Sequence, residues 1–217
     1  MNFSEIIDSF FLFIRNPFAK KAEEIFEINN ARFVVLDTET TGFDYNKDRI
    51  LCIGAIVLQN NSISIQDSFE VYIEQEYYNQ STAQIHGILR EIVLQRPKEL
   101  EALQHFLEFL GDSIIIAHHA KFDITMINNA LERNDLPKLT NKTIDTAELY
   151  KKSLLKSPLL ERKENYSLDD LAEKFDISTK DRHTALGDAF ITAIAFLKIV
   201  EKLRKKRELT LSYLVKK

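Results

Sequence analysis

The chain has 217 residues, with 33 acidic and 29 basic side chains, a formal charge of −4, 45% hydrophobic residues and a single cysteine. A chain this long can bury roughly 70% of its unfolded surface in one core, so no disulfide or structural metal is needed for folding. Cys52 alone excludes an intrachain disulfide framework or a cysteine zinc site, and the near balance of charge excludes a polyanion sponge. Any nucleic-acid contact must come from local basic patches or bound metal. Cys52 lies in an apolar run and reads as an inert core thiol, which suits a reducing, cytoplasmic setting.

In chain order, the first signal is FFLFI at positions 10–14, set between Asp8 and Arg15. Five apolar residues are far too few to span a bilayer, and neither a basic n-region nor a small-residue cleavage site surrounds them. With Phe3, Ile6 and Ile7 they suggest an apolar helix that packs on its own domain or on a partner. Beyond it, strands and helices alternate. Arg32 to Asp37 reads as a first strand; Ile50 to Gln59 and Ser62 to Ile73 read as two more, joined by the polar turn Asn60-Asn61. Glu99 to Leu110 has helical spacing, Ile114 to Ile116 is a short buried strand, and a second helix follows over Lys121 to Arg133. A short strand near Thr143-Ile144 precedes helices at Thr146 to Leu155, Ser167 to Phe175 and Thr184 to Arg204. Ser167 with Asp170, Asp145 and Thr184 supply N-cap signals. The composition of Lys151 to Lys163 marks a mobile connection. The pattern predicts an α/β domain with a mixed sheet.

The first strand poses a physical question, because it ends in Asp37 and Glu39. Residues i and i+2 of a strand face the same way, so both carboxylates aim at one spot. Two anions held together lose hydration and repel, which is tolerable only with a cation between them. Further carboxylates stand at other element ends. Asp123 lies in the first turn of the helix after HHAKFD, and Asp188 follows the Thr184 cap, with His183 in the loop just before. Each alone has a bland reading, since a first-turn Asp favours the helix dipole and a lone His is commonly structural. Four carboxylates and a histidine, each at an element end, ask for a joint explanation.

The stretches DTETTG, AHHAKFD and HTALGD resemble the three exonuclease motifs of the DEDD superfamily in its histidine-containing branch, most closely the proofreading epsilon subunits of bacterial DNA polymerase III. The resemblance covers about residues 32–200. It implies an RNase H-like fold, a five-stranded mixed sheet flanked by helices, and metal-dependent release of nucleoside 5′-monophosphates from a nucleic-acid 3′ end. Position by position, it puts the metal ligands on Asp37, Glu39, Asp123 and Asp188 and the general base on His183. It divides the chain into an apolar helical extension (1–31), an exonuclease domain (32–204) and a basic tail (205–217).

The chemistry asks for the same residue types. Phosphodiester hydrolysis needs an activated water, relief of charge on the phosphorus and a stabilised leaving oxygen, and two hard cations roughly 3.5–4 Å apart provide all three. All-oxygen ligands select two Mg²⁺ or Mn²⁺ ions over zinc, with Asp37 as the expected bridge. Histidine, which titrates near ~6.5 as a residue type, suits proton removal at neutral pH.

The resemblance extends to substrate contacts. Thr40 and Gly42 follow the carboxylate pair, where small side chains let a terminal nucleotide approach the backbone. QIHGI places Ile85 and His86 beside the terminal base, and Phe122 can stack on a sugar or base; Ile85 and Phe122 fit an apolar core equally well. His86 and His118 also match, and structural hydrogen bonding explains them as readily. One departure is His119, where the family usually has Asn. Lys202, Arg204, Lys205, Lys206 and Arg207 read either as a solvated helix end or as a contact to a nucleic-acid backbone.

The expected partners are single-stranded 3′ ends, DNA ahead of RNA, and a polymerase or other protein acting in trans, with no membrane. The alternatives are an exoribonuclease of the oligoribonuclease or RNase T type, and a polymerase-docking or nucleic-acid-binding module with a vestigial site. The intact set Asp37, Glu39, Asp123, His183 and Asp188 argues against the last.

Overall fold

The computed structural model describes residues 28, 30–76, 87–88, 96–154 and 163–215. The Phe-rich segment, Ile85, His86 and most of the mobile connection expected after Lys151 lie outside these. Five strands form one sheet in the order β3-β2-β1-β4-β5. β1 (Phe33–Thr40) pairs antiparallel with β2 (Ile50–Gln59), which pairs antiparallel with β3 (Ser62–Tyr72). On the other side β1 is parallel to β4 (Ile114–Ala117), and β4 to β5 (Thr143–Asp145). Asn60 and Asn61 turn the β2–β3 hairpin with φ of 53° and 57°, the two left-handed residues that a tight hairpin of this twist demands.

The central strands β1, β2 and β4 are buried because helices cover both faces of the sheet there, whereas the edge strand β3 is largely exposed. Val34, Leu36, Ile53, Ala55 and Ile115 pack against α1 (Glu99–Leu110) and α2 (Lys121–Arg133). Phe33, Val35, Ile56, Ile116 and Ile144 pack against α3 (Thr146–Ser153), α4 (Leu168–Phe175), α5 (Ala185–Arg204) and α6 (Leu211–Val215). Phe106 and Leu103 of α1 are fully enclosed, each side chain contributing about 1.5–3 kcal/mol of burial. The caps act as their residue types dictate. Ser167 and Asp170 form a reciprocal capping box, Thr184 accepts from the Gly187 N–H, and Asp145 accepts from the Ala147 and Glu148 N–H groups.

Three differences from the sequence reading have physical causes. β1 does not finish at Asp37: β2 stays paired with it, Asp37 opposite Gly54 and Glu39 opposite Cys52, and the register shifts only between Glu39 and Thr40. The helix expected to reach Leu155 ends at Ser153, whose hydroxyl donates back to the Tyr150 carbonyl. Residues 205–215 are packed domain, with Leu209, Leu211 and Leu214 buried in the same core cluster as α5 and β5. Lys206 ties it to α3, its ammonium donating to the Ser153 carbonyl at 2.7 Å, while the Arg207 guanidinium lies 4.7 Å from the Tyr213 ring centre within the segment. Among the described residues no helix is long and apolar enough to cross a membrane.

Candidate active site

The strand period sorts the site's side chains between two faces. Phe33 and Val35 face α5, so Asp37 and Glu39, continuing the odd positions, face it too; Val34 and Leu36 face α2, and so does Thr38. β4 pairs with β1 only as far as Val35 with Ile116, which leaves the rest of β1 bare on that side. Asp123, from the first turn of α2, fills the gap. Its Oδ1 accepts from the Thr38 N–H at 3.0 Å and from the Thr38 hydroxyl at 2.7 Å, taking the place of a missing strand partner.

Asp188 arrives from the other face because α5 packs directly on β2. A Cβ on Gly54 would sit 2.2 Å from the Ala185 and Leu186 backbone, so only glycine lets the start of α5 approach this strand. Gly54 is the residue opposite Asp37, and that contact delivers Asp188 to the carboxylates of β1. Ligand oxygens of Asp37, Glu39 and Asp188 lie within 4.8 Å of one another. Asp123 stands beside Asp37, outside this tight group, and its charge reaches Asp37 through space.

The electrostatics are those of anions short of a cation. Burial, then the fields of Asp123, Asp188 and Glu39, hold the Asp37 carboxyl well above the usual carboxylate range. Glu39 is pushed up to about 7, first by burial and then by Asp188, with Arg182 opposing. Burial pushes Asp123 up to about 7 against the lowering effect of its Thr38 bonds. Asp188 Oδ1 is buried with no hydrogen-bond partner among the described residues, while Oδ2 accepts from Arg182. An orphaned carboxylate oxygen inside an all-oxygen cluster fits a hard divalent cation, and Asp37, Glu39 and Asp188 are the residues that could hold one.

Around the cluster, His183 is exposed in the loop before α5 and takes a left-handed φ of 64°. His118 is structural, because one ring nitrogen bonds the Thr146 hydroxyl at 2.8 Å and the other the Tyr166 carbonyl at 2.9 Å. Burial and then the neighbouring His119 push its imidazole down to about 4. His119 is exposed with φ of 55°, a conformation that Asn adopts most readily among ordinary residues, which accounts physically for the family's usual residue there. Asp145 accepts from the His119 and Ala120 N–H groups as well as capping α3, so it holds that loop. Thr40 spends its hydroxyl on the Gly42 carbonyl at 2.7 Å. A Cβ on Gly42 would lie 2.5 Å from the Asp48 carboxylate, which is itself fixed by the Thr41 hydroxyl and the Asp44 N–H.

Sequence reasoning missed several residues. Phe43 is 78% exposed, and the Phe122 ring lies 5.8 Å from it and 5.7 Å from Tyr45, so three aromatics cluster around Phe122, the residue before Asp123. Phe43 follows the DTETTG motif directly and its aromatic type was the available signal. Thr38, Gly54, Asp169 and Arg182 carried no signal, because their roles exist only once α2, α4 and α5 are docked. Two cavities of about 530 and 600 Å³ lie near β5 and α6, and no carboxylate of the cluster lines them.

Comparison with known proteins agrees with this geometry. A family model described as Exonuclease, the RNase T family, matches residues 34–196. The DNA polymerase III epsilon subunit of Aquifex aeolicus is 33% identical over 172 residues, covering 79% of this chain and 81% of that protein. The PolC-type DNA polymerase III of Thermotoga maritima is 35% identical over 190 residues, 87% of this chain but only 13% of that much longer protein. The chain thus spans about an eighth of the PolC-type relatives it matches. Among solved structures, E. coli exonuclease I in complex with a dT13 oligonucleotide shares the fold at a TM-score of 0.69 and 17% identity, over 82% of this chain and 42% of that one. The mixed sheet, its two helical layers and the matched motifs therefore place this chain in the RNase T-type exonuclease family.

Proposed function

We propose that this protein is a metal-dependent 3′–5′ exonuclease that releases nucleoside 5′-monophosphates from DNA 3′ ends, acting together with a polymerase. The observation that carries this reading is the group formed by Asp37, Glu39 and Asp188, whose oxygens lie within 4.8 Å of one another and include a buried oxygen with no hydrogen-bond partner among the described residues. Asp123 completes the ligand set from the α2 side. Two Mg²⁺ or Mn²⁺ ions bound there would polarise the attacking water and neutralise the phosphate and leaving oxygen.

The chain's own groups do the rest. His183, exposed and outside the ligand group, takes the proton from the attacking water. Phe43, Tyr45 and Phe122 offer ring faces to unpaired bases, and stacking of this kind is tolerant of sequence. The turn Thr40–Gly42 presents backbone to the terminal nucleotide and His119 stands in the exposed loop before α2, while Ile85 and His86 are assigned to the terminal base by the resemblance of QIHGI alone. DNA is favoured because the relatives matched over this domain are named as DNA polymerase III epsilon and PolC-type chains.

Digestion of matched 5′-labelled DNA and RNA oligomers, with Mn²⁺ or with chelator, tests the proposal. The expected result is a metal-dependent ladder shortening from the 3′ end, faster on DNA. Faster digestion of RNA would transfer the enzyme to the exoribonucleases, and internal cuts or no hydrolysis in metal would refute the assignment.

A further inference from the structure

Among the described residues Arg182 is the cation that contacts the carboxylate cluster, and it is built in from two sides. Its Nε donates to Asp169 Oδ1 at 2.7 Å and its Nη2 to Asp169 Oδ2 at 3.0 Å, a two-pronged grip on a carboxylate of α4. Its Nη1 donates to Asp188 Oδ2 at the start of α5. The Arg182 side chain is 14% exposed and that of Asp188 8%, whereas that of Asp169 is 62% exposed. The backbone is held as well, with the Arg182 N–H donating to the Thr179 carbonyl at 3.2 Å.

Two roles are open to a guanidinium in this place. It could stand in for a divalent cation and have to leave when one binds, or it could remain and orient Asp188. The oxygens of Asp188 decide between them. Arg182 occupies Oδ2 only, while Oδ1 is buried and has no hydrogen-bond partner among the described residues, so a cation can take Oδ1 with the arginine still in place. Metal-ligating carboxylates are commonly held in this way by hydrogen bonds to their second oxygen.

We propose that Arg182 is a positioning residue: anchored by Asp169, it grips Oδ2 of Asp188 and thereby presents Oδ1 to the divalent-cation site. Without it both oxygens of a buried carboxylate lack partners, and nothing fixes the rotation of the group. The fork geometry matters. A lysine ammonium cannot hold both oxygens of Asp169 in a planar grip and reach Asp188 at once. Because Arg182 precedes His183, the same anchor also fixes the loop that carries the histidine.

This inference rests on the reading of Asp188 as a metal ligand, and calorimetry of Mn²⁺ binding to the metal-stripped protein separates the two. Arg182→Gln is expected to weaken Mn²⁺ binding by roughly 10- to 100-fold, the usual cost of losing such a partner. Arg182→Lys should fall between that variant and the wild type. Asp169→Asn, at a side chain 62% exposed, should weaken binding in the same direction. The double variant should bind no more weakly than Arg182→Gln alone, because both act through one chain of contacts. Equal or tighter Mn²⁺ binding by Arg182→Gln would overturn the proposal and make the arginine a competitor for the site; if that variant does not fold, unchanged affinity in Asp169→Asn overturns it. A wild type that binds no Mn²⁺ would refute the metal reading itself.

Discussion

Replacing Glu39 by Gln removes one charge from the cluster and keeps its shape. In the metal-free protein this carboxyl is pushed from an ordinary 4.5 up to about 7, chiefly by burial and then by Asp188. The fold therefore holds the proton more tightly than the unfolded chain does, and stability falls as pH rises from 4.5 through about 7. At ~1.36 kcal/mol per pH unit the displacement amounts to roughly 3 kcal/mol, reduced to roughly 2–3 kcal/mol by the side chain's partial contact with solvent. Glu39→Gln should thus be more stable than wild type by that amount at pH ~8 in chelator, and by less than ~1 kcal/mol at pH ~5. For a domain of this size the gain reads as a rise of roughly 5–10 °C in Tm. Scanning calorimetry at the two pH values, with EDTA and with excess Mn²⁺, makes the measurement. Metal should reverse the order, since wild type gains the full binding energy and the variant does not. A variant less stable than wild type in EDTA at pH ~8, or a gap that ignores pH, would refute the electrostatic account.

Four further outcomes are expected. His183→Ala should lose about 10² to 10⁴ in rate near neutrality while Mn²⁺ affinity stays close to wild type, as pH–rate profiles and calorimetry will show. His119→Asn should keep its activity and melt at the wild-type temperature or slightly higher, because φ of 55° suits Asn; an inactive variant would move the base role toward His119. Gly54→Val should push the start of α5 off β2 and abolish Mn²⁺ binding, at a stability cost of about 1–3 kcal/mol measured in urea. Phe43→Ala should leave Tm unchanged, since the ring is 78% exposed, yet raise KM for oligonucleotides by the roughly 5- to 150-fold that one base stack is worth.

What was legible in the sequence divides along local and tertiary lines. The continuous apolar run FVVL and the 3.6-residue spacing of ELEALQHFLEFL reported burial directly, so the central strands and α1 were readable. Asp37 and Glu39 shared a face by strand geometry alone. Asp123 and Asp188 were legible as first-turn acids, yet whether they meet the pair depends on the short length of β4 and on the bare surface of Gly54. The Asp169–Arg182–Asp188 chain links a helix, a loop and another helix through side chains, and no spacing announces it. The C-terminal α6 was hidden for a different reason. Its five residues follow a run of lysines and arginines, and composition there spoke for solvent, whereas Leu209, Leu211 and Leu214 answer to the core.

The close approach of α5 to Gly54 also bears on time. Asp37 belongs to the first strand and Asp188 to the last long helix, so a cation shared between them closes nearly the whole domain into a ring. Closing so long a loop is entropically costly, at about (3/2)RT ln n, and little of that cost is recovered until the sheet exists and α5 has docked. The clasp therefore forms after the folding barrier. An interaction absent from the barrier leaves the folding rate alone and slows unfolding by its full strength. Divalent cations should accordingly act on this protein as a brake on opening: refolding at the same speed with or without them, but a native lifetime that lengthens in proportion to metal occupancy and shortens as soon as a chelator removes it.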